Sequence, residues 1–258
     1  MHLHSPAGRF LAGLLLSSTL VSCYRGPGVS PEAVRTGTIR VVIRPTWEGQ
    51  PFQMNQEYHN VSDYRVKVEG LRFYLGDVRF EDDGYFTSVK DVEFFDLQHN
   101  GDTVLWTNVP KGNWTSLRMG LGVPQALNAA DPIVYPAGHP LNLALGTYWT
   151  WATGYRFVMF DGRYEVDGSG TGPLMQPFSM HTGMDLCYRE FDVPLATPLV
   201  VTGDRVSTVV LDLAVDRFFH HGGEVLDLAT ESQSHGGDPT HAVALELTDN
   251  IVNAFGVE

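Results

Sequence analysis

Only two cysteines, Cys23 and Cys187, occur among 258 residues. At most one intrachain disulfide can form, which excludes the cysteine-dense scaffold of small secreted domains. Basic residues are also scarce: 17 Lys and Arg stand against 30 Asp and Glu, for a formal net charge of −13. Such a surface repels phosphate, so nucleic acid is not an expected partner, while cations are weakly attracted. Helical periodicity is rare. No Gly-x-Ser-x-Gly elbow is present, and no nucleophile is paired with a base by local pattern. The Gly-rich residues 168–173 lack the Lys-Ser/Thr of a phosphate-binding loop, and no helix pattern follows them. Neither H-x-x-x-H nor a two-plus-two cysteine spacing occurs, so a structural zinc site is not indicated. Nothing here reads as an enzyme.

The N-terminus has its own logic. Arg9 closes a short n-region, and residues 10–16 are apolar apart from Gly13. This run is too short to span a bilayer and suits a secretory h-region. Leu20-Val21-Ser22-Cys23 resembles a bacterial lipobox, which makes residues 1–23 a lipoprotein signal peptide and Cys23 the lipidated first mature residue; the alternative is a plain signal peptide cut nearby. Residues 24–36, with Gly26, Pro27, Gly28 and Pro31, read as an extended tether. Tyr24 rather than Asp follows the cysteine, which points to the outer membrane within the cell envelope. With Cys23 lipidated, Cys187 has no disulfide partner. It reads as a buried small apolar residue, with a soft metal ligand or a free thiol as alternatives.

From residue 37 to 258 the pattern is strand-like. Residues 38–44, 64–68, 71–80, 92–97, 103–107 and 116–121 are β-branched or alternate with period two. Asp82-Asp83-Gly84 predicts a turn. Asp161-Gly162, between residues 156–160 and 163–166, predicts a type I′ hairpin, and Gly203-Asp204 predicts a second one. Helical spacing is clearest over residues 242–255, where Val243, Leu247, Ile251 and Ala254 share a face and Thr240 is placed as N-cap. These features predict one all-β domain, a sandwich-like antiparallel β fold with one short C-terminal helix.

Six segments in order carry a family resemblance: residues 71–78, 117–124 with Asn128 and Asp131, the aromatic run from Tyr148-Trp149 to Tyr155, His181-Thr182-Gly183, residues 211–219, and residues 248–255. Together they resemble the MbnP-like family of bacterial copper-binding extracytoplasmic proteins. The resemblance implies an exported β domain that binds copper. It also implies a partner, a di-heme enzyme of the MauG kind that oxidises a tryptophan to kynurenine; in methanotroph members, kynurenine and histidines hold the metal. This chain departs from the pattern in three places. No Trp-x-His occurs at any of its five tryptophans, the histidine pair near the C-terminus of some members is absent, and the four-cysteine pattern of another branch is missing.

Copper(I) favours imidazole, thioether and thiolate. Met180, His181, Met184 and Cys187 gather such groups, although on one strand Met180 and His181 face opposite sides. His181 is the first candidate; its bland alternative is a core histidine bonded near Trp149 or Trp151. His220-His221, His235 and His241 sit among glycines and can converge. The expected metal set is His181, His241 and His220. His59, His99 and His139 rank lower. Trp149 and Trp151 are candidates for the oxidised tryptophan, against the bland reading of a packed sheet face. The sequence thus predicts a non-enzymatic, lipid-anchored envelope protein for copper acquisition or handling, a substrate of a di-heme oxidase. The competing reading is a metal-free surface sandwich that binds a glycan or a protein.

Overall fold

The computed structural model describes residues 36–150, 152–235 and 242–257. In chain order, β1 (Thr36–Trp47), β2 (Gln50–Pro51), β3 (Glu57–His59), β4 (Arg65–Asp82) and β5 (Tyr85–Asp96) come first. β6 (Thr103–Pro110) and β7 (Gly112–Leu121) precede the one-turn α1 (Gln125–Asn128) and β8 (Tyr148–Thr150). Four long strands follow: β9 (Gly154–Glu165), β10 (Gln176–Gly183), β11 (Arg189–Val201) and β12 (Val206–Ala214). The chain closes with β13 (His220–His221), β14 (Glu224–Val225), β15 (Gln233–His235), α2 (Ala242–Val252) and β16 (Phe255–Val257).

Two sheets face each other. The smaller runs β16-β12-β1-β2 with β6 on β1; the larger runs β11-β7-β4-β9-β10-β15, with β3, β5 and β8 added at its sides. Most pairs are antiparallel, but β1 lies parallel to β12 and β10 parallel to β15. The all-β sandwich is therefore mixed rather than antiparallel throughout. Its interior is apolar: Ile39, Val41 and Ile43 of β1 and Leu211 and Leu213 of β12 meet Phe73 and Phe80 of β4. Phe160 of β9 packs on Phe178 of β10 and on Phe218 at 5.1 Å each, and on Phe219 at 5.4 Å. Each such ring removed from water contributes about 1.5–3 kcal/mol.

The outer face of the larger sheet carries a second cluster, which includes Tyr74, Leu141, Tyr155, Phe157, Cys187 and Ala244. The Tyr74 hydroxyl donates to the Pro140 carbonyl (2.9 Å) and the Tyr155 hydroxyl to the Leu141 carbonyl (2.7 Å), which fastens the segment before β8 to that face. Cys187 is buried here as an unpaired thiol, in line with its reading as a small apolar residue.

Three sequence expectations are corrected. Residues 65–68 and 71–80 belong to one 18-residue strand, β4, interrupted by bulges at Val68/Gly70 and Gly76/Arg79, and Tyr64 precedes it. The second bulge, with Asp77 at φ 47°, resets the inward phase from Leu71, Phe73 and Leu75 to Val78 and Phe80. Asp161-Gly162 is not a turn: both residues lie inside β9. A Cβ on Gly162 would fall 2.2 Å from the Lys67 carbonyl oxygen and 2.5 Å from the Phe178 ring. The glycine is needed for close approach rather than for positive φ. Gly203-Asp204 does not close a hairpin either; β11 pairs with β7 in one sheet and β12 with β1 in the other, so this turn carries the chain between layers.

The Asp83-Gly84 turn is as expected, with φ of 49° and 80° joining β4 to β5. The helix α2 is shorter than predicted and ends at Val252, after which the chain turns into β16; Leu247 and Ile251 reach the main core. Thr240 lies outside the described residues. Gly162→Ala should destabilise the fold by about 1–3 kcal/mol through overpacking against Phe178 and β4, read as a lower urea midpoint. An unchanged midpoint would show that the close approach is not required.

Candidate metal centre

The antiparallel pairing of β9 and β10 sets Met180 opposite Phe160 and Ser179 opposite Asp161. Met180 and Phe160 point into the core, so Ser179, His181 and Asp161 project from the other face. β15 then adds a parallel edge, with His181 beside His235 in register. The two imidazole centroids lie 5.5 Å apart with the rings nearly perpendicular at 85°.

His181 is held from behind. Its Nε2 lies 3.0 and 3.2 Å from the two oxygens of Asp161, and the Ser179 hydroxyl donates to the same carboxylate at 2.7 Å. The His181 side chain is 14% exposed. Its Nδ1 is buried and, among the described residues, has no hydrogen-bond partner. Burial pushes the Asp161 carboxyl up, but hydrogen bonds from His181 and Ser179, with the charges of His181 and Arg72, outweigh it and hold the group below its ordinary value.

Trp149 of β8 stands at the rim, its ring 6.4 Å from that of His235. The Arg156 guanidinium lies over the indole at 5.0 Å, a cation–π contact that covers one ring face. Arg156 also donates from Nη1 to the Gly146 carbonyl at 3.1 Å, while its buried Nε is unpartnered. Burial, followed by the neighbouring charge of Arg72, lowers the Arg156 pKa against the opposing effect of Asp161.

The expected site residues are thus distributed unevenly. His181 and His235 come together. His220 is on β13, paired with Val225 in a separate two-stranded sheet, and among the described residues no hydrogen bond, ion pair or ring contact joins it to His181 or His235. His241, Trp151 and Cys23 lie outside the described residues. The expected bland partner of His181, the tryptophan pair, is replaced by Asp161. Sequence reasoning missed Asp161 because Asp-Gly was read as a turn. Three other histidines have local roles: His59 pairs with Asp63, His99 with Asp96, and His139 stacks on Tyr135 while its Nδ1 accepts the Leu141 N–H.

Among the described residues no group of three or more His, Cys, Asp or Glu side chains is arranged to hold a metal ion. Two imidazoles side by side nevertheless fit an ion that accepts low coordination, and a bare buried Nδ1 backed by a carboxylate is the setting of a ligating histidine.

Fold and site together define a mixed β-sandwich that carries a carboxylate-backed histidine pair on the edge of its larger sheet. The MbnP family model matches residues 36–236, and the chain belongs to the MbnP family. Residues 248–255, part of the resemblance drawn from sequence, lie beyond that match. Among solved structures, MbnP from Methylosinus trichosporium is similar at 15% identity with a TM-score of 0.51, over 82% of this chain and 88% of that one, a likeness of fold. No curated protein matches the chain. Among the described residues no helix is long and apolar enough to cross a membrane.

Ser179→Ala removes a charge-assisted hydrogen bond from Asp161. It should cost roughly 1.5–3 kcal/mol, measured by urea denaturation at neutral pH. A midpoint equal to wild type would mean that solvent serves the carboxylate equally well.

Proposed function

We propose that the protein is an exported, lipid-anchored copper-binding protein for copper acquisition or handling, with His181 and His235 as the protein's own ligands to copper(I). The observation that carries this reading is the His181–His235 pair, in which one imidazole is fixed on Asp161 and keeps a bare, buried Nδ1. Membership of the MbnP family supports the choice of metal. A two-imidazole site suits copper(I), which accepts low coordination, whereas structural zinc takes four protein ligands. Bound copper would be a soft, exchangeable cation held for delivery, and the protein performs no reaction of its own. In the same reading a di-heme MauG-like oxidase acts on the protein, with Trp149 at the rim or Trp151 as the tryptophan modified. Cys23 carries the lipid that retains the protein at the outer membrane.

Competition with a chromogenic copper(I) chelator should show one equivalent bound to wild type, a large loss in His181→Ala and His235→Ala, and near-normal binding in His220→Ala. No uptake by wild type, or wild-type affinity in both of the first two variants with an unchanged circular dichroism spectrum, would remove the copper reading. Cys23→Ser should release the protein from the membrane fraction or block its processing; undiminished membrane association would rule out the lipid anchor.

A further inference from the structure

We infer that Asp161 is a positioning residue that fixes His181 as its Nε2–H tautomer and so makes Nδ1, not Nε2, the ligating atom. The inference rests on the copper reading and goes beyond it by naming the atom and the residue that selects it. An ionised carboxylate can only accept. Both Asp161 oxygens lie within 3.2 Å of Nε2, so that nitrogen donates. The Ser179 hydroxyl binds the same Oδ1 at 2.7 Å and sits 3.4 Å from Nε2, which orients the carboxylate toward the ring. The neutral imidazole then keeps its lone pair on Nδ1, the atom that is buried without a partner among the described residues. A proton on Nδ1 instead would turn the Nε2 lone pair against the Asp161 carboxylate and leave a buried donor without an acceptor among the described residues. The surroundings therefore admit the bare nitrogen and close off the other one. His235, 5.5 Å away on the neighbouring strand, supplies the second imidazole.

Ligating histidines commonly donate their other ring N–H to a carboxylate, and loss of such a partner weakens metal binding by roughly 10–100-fold. The test uses two-bond proton–nitrogen spectra of histidine-labelled full-length protein, with His181→Ala to assign the His181 signals. Before metal is added, wild type should show Nε2 protonated and Nδ1 bare, and one equivalent of copper(I) should move the Nδ1 resonance. Asp161→Ala should lose the single tautomer and bind copper(I) roughly 10–100-fold more weakly, with circular dichroism unchanged. Asp161→Asn, whose amide oxygen can still accept from Nε2, should restore the tautomer and most of the affinity. The inference is overturned by an Nδ1–H tautomer in wild type, by a copper shift at Nε2, or by wild-type affinity in Asp161→Ala. Because the wild-type spectrum alone reports which nitrogen moves, an Asp161→Ala that fails to fold does not remove the test. Copper bound with the shift at Nε2 defeats this inference and spares the copper reading. No copper bound to wild type defeats the copper reading and the ligation with it.

Discussion

The register between β9 and β10 governs the rest of this molecule. Phe160 opposite Met180 and Asp161 opposite Ser179 are consecutive pairs of one ladder, and strand alternation sends them to opposite faces. A slip of one residue would turn the aromatic set outward and bury the carboxylate with its histidine in the sandwich. The apolar interior thus fixes the polar site. Phe160 and Phe178 hold the phase through their contacts with Phe218 and Phe219. Gly162 lets the Phe178 ring lie against β9 where any side chain would hold it off. The geometry at His181 is inherited from hydrophobic packing one residue away.

Much of the fold is legible in the sequence because its signals are local. Period-two patterning marks the strands, Asp83-Gly84 takes the positive φ angles of its turn, and the opposed faces of Met180 and His181 follow from strand geometry alone. What misleads is a local signal with more than one physical use. Asp-Gly satisfies a tight turn, but in β9 the glycine answers a steric demand from Phe178 and the aspartate a polar demand from His181. Both partners are distant in sequence. Gly203-Asp204 is a real turn, yet no local feature says whether its two arms pair with each other or with strands of different sheets. The site is less legible for the same reason. His181 could be singled out by its residue type and by resemblance, while its pairing with His235 depends on a parallel edge strand more than fifty positions away.

The outer face of the larger sheet combines tolerance and expense. Tyr74 and Tyr155 bury their rings yet satisfy their hydroxyls on carbonyls of the segment they fasten. On the same face, His181 Nδ1 and Arg156 Nε are buried without partners among the described residues. Arg156 adds a second effect. Its guanidinium lies over one face of Trp149 and holds that ring at the rim beside His235.

The edge strand that delivers His235 has only three residues, paired with β10 from Ser179 to His181. So short a strand holds its place weakly, since few backbone bonds and little apolar area stand against its ordering entropy. An ion shared by His181 and His235 would act as a clasp on the last of those pairs. Linkage then runs both ways: whatever steadies the hem of the sheet tightens the ion, and whatever withdraws the ion loosens the hem. A docking partner could unload the site by peeling back one short strand, leaving the packed interior untouched.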